Sequence, residues 1–234
     1  MKALILAAGF GSRLAPLTDN LPKSLLEVNG KPILFKQIDN LLENGITDIT
    51  IVSGYKADVL ETRVLASYPN VKIVESKDYA TTNNMYSAYL GIKSMGVGEM
   101  LMMNADVFFD SSVIKSLLNC KHKNAIVVDI GRYNEESMKV IEKEGRLIEI
   151  SKVITEEDAF GCSIDVYKFS KEGADAFLNK CIDYIEKQKE LKKWSEVALN
   201  DVLKEVEFKA CPLEGRWFEI DNHEDLRQAS ELFK

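Results

Sequence analysis

A chain of 234 residues with 46% hydrophobic and 29% charged residues can bury one sizeable core, and no apolar stretch in it is long enough to span a bilayer. Its 37 acidic against 30 basic residues give a net charge of −7 without any dense basic block, which argues against long nucleic acid as a partner. Cys120, Cys162, Cys181 and Cys211 are scattered and only two histidines are present, so no disulfide scaffold or zinc cluster is expected, and any metal should sit on oxygen ligands, as suits magnesium.

In chain order, Lys2 to Ala7 reads as a buried strand. A single preceding lysine and the lack of a small-residue cleavage site set it apart from a signal peptide, so a cytoplasmic location is expected. A glycine-punctuated loop follows. Behind Pro32, the residues Ile33, Leu34, Ile38, Leu41 and Leu42 recur at helical spacing until Gly45 closes the helix. Asp48 to Val52 predicts a strand, Lys56 to Ala66 a helix and Val71 to Val74 a strand. Asn83 to Lys93 predicts a helix, Glu99 to Met103 a strand ending at Asn104-Ala105-Asp106, and Ser111 the cap of a further helix. This alternation implies a parallel sheet with right-handed crossovers.

After Lys123 the texture shifts to shorter strand-like runs, Ala125 to Asp129, Met138 to Ile141, Leu147 to Ile150 and Cys162 to Tyr167, which suggests a mixed sheet over the substrate side. Two charged amphipathic helices are expected at Lys171 to Lys189 and Trp194 to Lys204, then strands around Glu207 to Cys211 and Trp217 to Ile220, and a last helix from Asn222. No internal repeat or low-complexity linker interrupts the chain, and one domain over residues 1–234 is expected.

In open α/β sheets ligands gather beyond the carboxyl ends of the strands, the position held here by Gly9-Phe10-Gly11-Ser12-Arg13-Leu14. Gly9 and Gly11 allow close backbone approach to a ligand, while Arg13 offers phosphate oxygens a fork and Lys23 a point charge. Such a loop suits a nucleoside triphosphate. It lacks the third glycine of a dinucleotide fingerprint and the Gly-Lys-Ser/Thr of a P-loop, since Lys23 follows a proline. A plain glycine-rich turn with incidental charges is the competing reading. Asp106 and Asp221 each close a strand, so together they can hold magnesium between phosphates. Either can equally be a cap or turn residue, and Asn222 is a rival cap for the last helix.

The pairing of L-x-A-A-G-x-G-S-R-L with Leu21-Pro22-Lys23-Ser24-Leu25 resembles the signature of the nucleotidyltransferase family that makes sugar nucleotides and related CDP compounds. The resemblance implies a Rossmann-like α/β nucleotidyltransferase fold, a mixed and mostly parallel sheet flanked by helices with a small additional sheet over the acceptor site. Glu219-Ile220-Asp221 is similar to the E-I-D element of its cytidylyltransferase branch, and Asn83-Asn84-Met85-Tyr86-Ser87 resembles the N-N-x-Y-S segment of bacterial choline-phosphate cytidylyltransferases. Asn83 also suits a helix cap without any ligand.

By that resemblance Leu6, Ala7, Ala8, Gly9, Gly11, Ser12, Gly54, Asn83, Asn84, Ser87 and Ala105 surround the nucleotide. Arg13 and Lys23 contact its phosphates, Lys139 or Lys152 binds the acceptor phosphate, and Asp106, Asp221 and Glu219 hold Mg²⁺. Tyr86, Trp194, Glu196 and Trp217 are the acceptor-side candidates, although at helical spacing with Val197, Ala198 and Val202 the Trp194 ring reads more simply as core. Two departures stand out. Asn104-Ala105-Asp106 replaces the Asp-Gly-Asp of many sugar-specific members, and Glu136-Ser137-Met138 lies where the choline branch has a cage tryptophan.

The implied reaction joins CMP from CTP to a small phosphorylated or phosphonylated compound, a phosphocholine-like amine or an amino-acid-like acceptor such as phosphoglutamine, with release of pyrophosphate. Surface polysaccharide or lipid precursor biosynthesis is the implied setting. A sugar-1-phosphate nucleotidyltransferase using dTTP, UTP or GTP is the alternative within the class, and a non-catalytic nucleotide-sensing subunit the alternative outside it. A homodimer stays open as the oligomeric state.

Overall fold

A computed structural model describes residues 1–234. Side-chain alternation along its buried strands divides the core into two faces: β1 (Lys2–Ala7) sends Ala3, Ile5 and Ala7 to one side and Leu4 and Leu6 to the other. A two-residue hairpin, β2 (Glu27–Val28) and β3 (Lys31–Pro32), leads into α1 (Ile33–Glu43), β4 (Asp48–Ser53), α2 (Ala57–Ser67), β5 (Lys72–Glu75) and α3 (Asn84–Met95). Then come β6 (Met100–Asn104), β7 (Val107–Phe109), α4 (Ser112–Asn119), β8 (Ala125–Ile130), β9 (Lys139–Lys143), β10 (Arg146–Ser151) and β11 (Gly161–Phe169). The chain closes through α5 (Lys171–Ile182), α6 (Ser195–Glu205), β12 (Lys209–Pro212), β13 (Trp217–Glu219) and α7 (His223–Leu232).

Nine strands form one sheet in the order β10-β9-β11-β6-β1-β4-β5, extended by β8 on β11 and β12 on β8. The β6-β1-β4-β5 part is parallel, as alternating strands and helices require, and β11 joins it antiparallel through β6. The strands of the second half therefore continue the central sheet, while the small antiparallel sheets are β2/β3 and β7/β13. Helices α1, α2 and α4 pack on one face, and α3, α5 and α6 on the other. A third apolar cluster, built from Leu14, Leu26, Val28, Ile33, Phe108, Ile220 and Ala229, fastens the opening loop and α7 to the β7/β13 ribbon.

Two local expectations are revised, and three short strands are additional. Ser111 makes no side-chain cap on α4, because its hydroxyl accepts from the Asn44 amide at 3.0 Å. The helix expected to run to Lys189 leaves α geometry after Ile182, and residues Asp183–Lys187 form a π-turn. Strands β2, β3 and β7, at two or three residues each, carry too short a pattern to show periodicity.

Helix α3 lies unusually close to the sheet because position 91 has no side chain. A Cβ on Gly91 would stand 2.4 Å from Leu4 Cδ1 and 3.0 Å from Val52 Cγ2, both buried. Substituting Gly91→Val is expected to overpack this contact at a cost of about 1–3 kcal/mol. The measurement is thermal unfolding, which should show a midpoint several degrees lower.

Candidate active site

Beyond the carboxyl end of β1 the chain turns through Gly11, whose φ of +62° is left-handed and whose missing Cβ would lie 2.6 Å from Lys23 Cβ. The loop is thereby laid against the lysine. Thr18 Oγ1 donates to the Gly11 carbonyl at 3.0 Å, and buried Leu14 anchors the short 3₁₀ turn Ser12–Leu14. Phe10 leans outward between Tyr55 and Tyr79, with ring centroids 5.0 and 5.1 Å away.

Lys23 Nζ donates to Asp106 Oδ2 at 3.0 Å and to Asp221 Oδ1 at 2.6 Å, and Arg13 Nη2 reaches Asp221 Oδ2 at 2.7 Å. Burial alone would draw the Lys23 pKa down, but Asp106 and Asp221 outweigh it and hold the ammonium above its ordinary value. Burial likewise works to raise Asp221, and Lys23 and Arg13 overcome it, so that carboxyl lies below the usual range. Asp221 is spared capping duty: Asn222 and Asp225 form a capping box on α7, with Asn222 Oδ1 accepting from Asp225 N at 3.0 Å. Asp106 is set by its turn. Gln37 Nε2 donates to the carbonyls of Asn104 at 2.9 Å and Val107 at 2.8 Å, and Ile220 N donates to the Asp106 carbonyl at 2.9 Å.

Glu219 completes the cluster, for one oxygen from each of Asp106, Glu219 and Asp221 lies within 4.8 Å of the others. Asp106 Oδ1 is buried with no hydrogen-bond partner. An all-carboxylate set of this size suits a hard divalent ion. Burial, then Asp106 and Asp221, push Glu219 up to about 7.

A cavity of about 350 Å³ opens over this cluster. Leu6, Ala7, Ala8, Gly9, Arg13 and Lys23 line it from the first strand and loop, Ala105, Asp106, Glu219 and Asp221 from the carboxylate side. Asn83, Asn84, Ser87, Lys152, Trp194 and Glu196 are among the residues on its other walls. Asn83 also caps α3, its Oδ1 accepting from Asn84 N at 2.8 Å. Trp194 is not core: it is 45% exposed, and Lys152 Nζ stands 5.6 Å from its ring centroid.

Six expected residues lie off the cavity. Gly11 and Ser12 shape the loop behind it. Gly54 is a packing contact, since a Cβ there would meet Tyr79 Cβ at 2.7 Å and Ala8 Cβ at 2.8 Å. The Tyr86 hydroxyl turns to Asp78 Oδ2 at 3.2 Å. Trp217 is 5% exposed and donates from Nε1 to Asp129 Oδ2 at 2.9 Å, lining instead a second cavity of about 260 Å³ that shares Arg13, Glu219 and Asp221. Lys139 is fully buried, and its Nζ donates to the carbonyls of Glu135 at 2.8 Å and Lys152 at 2.5 Å. It thus ties two loops together, and Lys152 is the lysine that faces the cavity.

Asp165 was not among the expected site residues. It sits in the middle of β11 at φ +56°, where pairing with β8 shifts register, and lines the cavity at 8% exposure. Tyr167 O–H lies 2.8 Å from Asp165 Oδ1 and 3.0 Å from Glu196 Oε1. One phenolic proton can serve only one of these contacts, so the trio holds a further proton on a carboxyl. Burial, reinforced for Asp165 by Glu196, raises both acids above their ordinary values. Ser163 and Asp165 alternate with Cys162, Ile164 and Val166, which in sequence is the ordinary pattern of a strand with one polar face, and only the packing around β11 buries Asp165.

The nucleotidyl transferase family model matches residues 2–234. The chain belongs to that family. This nucleotidyl transferase is 30% identical over 258 residues to the choline-phosphate cytidylyltransferase of Streptococcus pneumoniae, covering 100% of this chain and 99% of that protein. A solved structure of CTP:phosphocholine cytidylyltransferase from the same species superposes with a TM-score of 0.83 at 26% identity, over 100% of this chain and 99% of that one. CTP:phosphoglutamine cytidylyltransferase of Campylobacter jejuni is 29% identical across 97% of this chain and 98% of its own. The bifunctional protein GlmU of Methanococcus aeolicus is 29% identical over 98% of this chain, which spans only 54% of that longer protein.

If the carboxylate cluster holds a divalent ion, its affinity should depend on pH. Glu219 must lose its proton to act as a ligand, so divalent-ion affinity should rise with pH through the region of 7 and level off above it. Calorimetric Mg²⁺ titrations across a pH series should show this rise in the wild type and a weaker, flatter profile in Glu219→Gln.

Proposed function

We propose that the chain, acting as one domain over residues 1–234, is a CTP-dependent cytidylyltransferase that joins CMP to a small phosphorylated or phosphonylated compound and releases pyrophosphate. The observation that carries this reading is the convergence of Arg13, Lys23, Asp106, Glu219 and Asp221 at the mouth of one cavity. Full-length similarity to two cytidylyltransferases supports CTP over other nucleotides.

In this reading the acceptor phosphate attacks the α-phosphorus of CTP in line and the pyrophosphate leaves. The attacking oxygen is already ionised, so no general base or covalent intermediate is required. Rate comes from alignment and charge stabilisation. Ala7, Ala8 and Gly9 bring backbone to the base side, and Gly9 has no protein atom within 4 Å of a would-be Cβ, which leaves room for a ligand. Arg13 and Lys23 stabilise charge on the pyrophosphate and the α-phosphoryl oxygens. Asp106, Glu219 and Asp221 would hold a Mg²⁺ ion, which would supply neutralisation of phosphate charge. Lys23, paired with two of those carboxylates, keeps its ammonium at the cavity where the phosphates bind. Lys152 orients the acceptor phosphate from the far wall, and Lys139 acts through it by fixing its carbonyl. Surface polysaccharide or lipid precursor biosynthesis, with the protein in the cytoplasm, is the setting this chemistry suits.

The test is pyrophosphate release from CTP, UTP, GTP, ATP and dTTP, each with Mg²⁺ and a panel of small phospho- and phosphono-compounds and sugar 1-phosphates. Release with CTP and a non-sugar acceptor is expected. Lys23→Ala should lower its rate by about 100-fold or more, the scale of removing one aimed charge from a transition state. Release only with a sugar phosphate and another nucleotide would overturn the reading.

A further inference from the structure

We propose that the end of the cavity formed by Asp165 and Glu196 binds a primary ammonium group, so that the acceptor carries a phosphate or phosphonate at one end and –NH₃⁺ at the other, and quaternary ammonium compounds are poor acceptors. This rests on the cytidylyltransferase reading and narrows its substrate class.

Three observations carry it. First, the two carboxylates have no counter-charge. Neither forms an ion pair, although Asp165 is 8% and Glu196 3% exposed. Lys23 is paired with Asp106 and Asp221 and Arg13 with Asp221, while Lys152 stands over the Trp194 ring and forms no ion pair with either carboxyl. Ionising a buried carboxyl pair without a cation is costly, so the free protein keeps a shared proton there, and a bound ammonium takes over the role of that proton.

Second, the pair has an acceptor to spare. Asp165 Oδ2 accepts from Asn104 Nδ2 at 3.0 Å, and Glu196 Oε1 accepts from Ser195 Oγ at 3.0 Å, but Glu196 Oε2 is buried with no hydrogen-bond partner. A primary ammonium brings three N–H donors to such a lone pair, and a trimethylammonium brings none. Third, the wall is wrong for a quaternary cation, which is held by aromatic faces. Tyr79 and Trp194 are the aromatic rings on this cavity, and they are partnered by Phe10 and Lys152. The Tyr167 ring is 1% exposed and packs toward Phe169, offering its hydroxyl rather than its face.

The test compares 2-aminoethylphosphonate with its hydroxyl isostere 2-hydroxyethylphosphonate, and phosphoethanolamine with phosphocholine, as acceptors for the full chain with CTP and Mg²⁺. A site built to pair a donor should favour the amine over the hydroxyl by about 100-fold or more in kcat/KM, and phosphoethanolamine over phosphocholine by about tenfold or more. Asp165→Asn and Glu196→Gln should each collapse the amine-to-hydroxyl ratio toward one while leaving the KM for CTP unchanged. Equal use of the hydroxyl compound, or phosphocholine used as well as phosphoethanolamine, would overturn the inference. Calorimetric binding of 2-aminoethylphosphonate and 2-hydroxyethylphosphonate to the wild-type protein separates the two readings. Amine-selective binding without turnover upholds the ammonium site and counts against cytidylyl transfer, whereas binding of neither compound, or of both alike, overturns the ammonium site itself.

Discussion

The bridge from Lys23 to Asp106 and Asp221 is the contact on which the site depends. Its three residues are 83 and 198 positions apart in sequence, and each is delivered by a different piece of the fold. The opening loop brings Lys23, the turn after β6 brings Asp106, and the end of β13 brings Asp221. The clamp of Gln37 on the Asn104 and Val107 carbonyls and the Asn222–Asp225 capping box then hold the two aspartates in place without using their carboxylates. Three acids face two bases here, and the excess is relieved by the raised pKa of Glu219. The cluster is balanced enough to fold, and in the proposed reaction its internal cations would turn to phosphates as a metal ion takes their place.

The Asp165 and Glu196 side of the cavity follows a different electrostatic rule. There two buried acids share Tyr167 and have no basic partner, so full ionisation of the pair calls for a cation from outside the protein. Arg13, Lys23 and Lys152 are the cations of the same cavity. An acceptor with a phosphate and a cationic group would then be held in one orientation, and orientation is what an in-line displacement needs.

Much of this was legible in the sequence. The β1 to β6 alternation follows from periodicity, while Arg13, Lys23, Asp106 and Asp221 were candidates by residue type that the paired loop motifs and their resemblance to the nucleotidyltransferase signature favoured over a plain turn or cap. Lys139 and Lys152 were indistinguishable because their separation turns on which side of a strand and loop each ammonium leaves, a tertiary fact. Trp194 read as core because helical spacing cannot distinguish an apolar face from the first residue before a helix. Asp165 was missed altogether, since a left-handed residue within a strand is set by the surrounding sheet and has no one-dimensional pattern.

The measurement that bears most directly on the central claim is calorimetric titration of CTP into the wild-type protein and Asp221→Asn, with and without Mg²⁺. CTP should bind the wild type, Mg²⁺ should tighten that binding, and Asp221→Asn should lose the increment due to Mg²⁺ while keeping its metal-free affinity or gaining some. CTP binding indifferent to Mg²⁺, or an increment fully preserved in Asp221→Asn, would contradict a triphosphate and metal site built on the Lys23, Asp106 and Asp221 bridge.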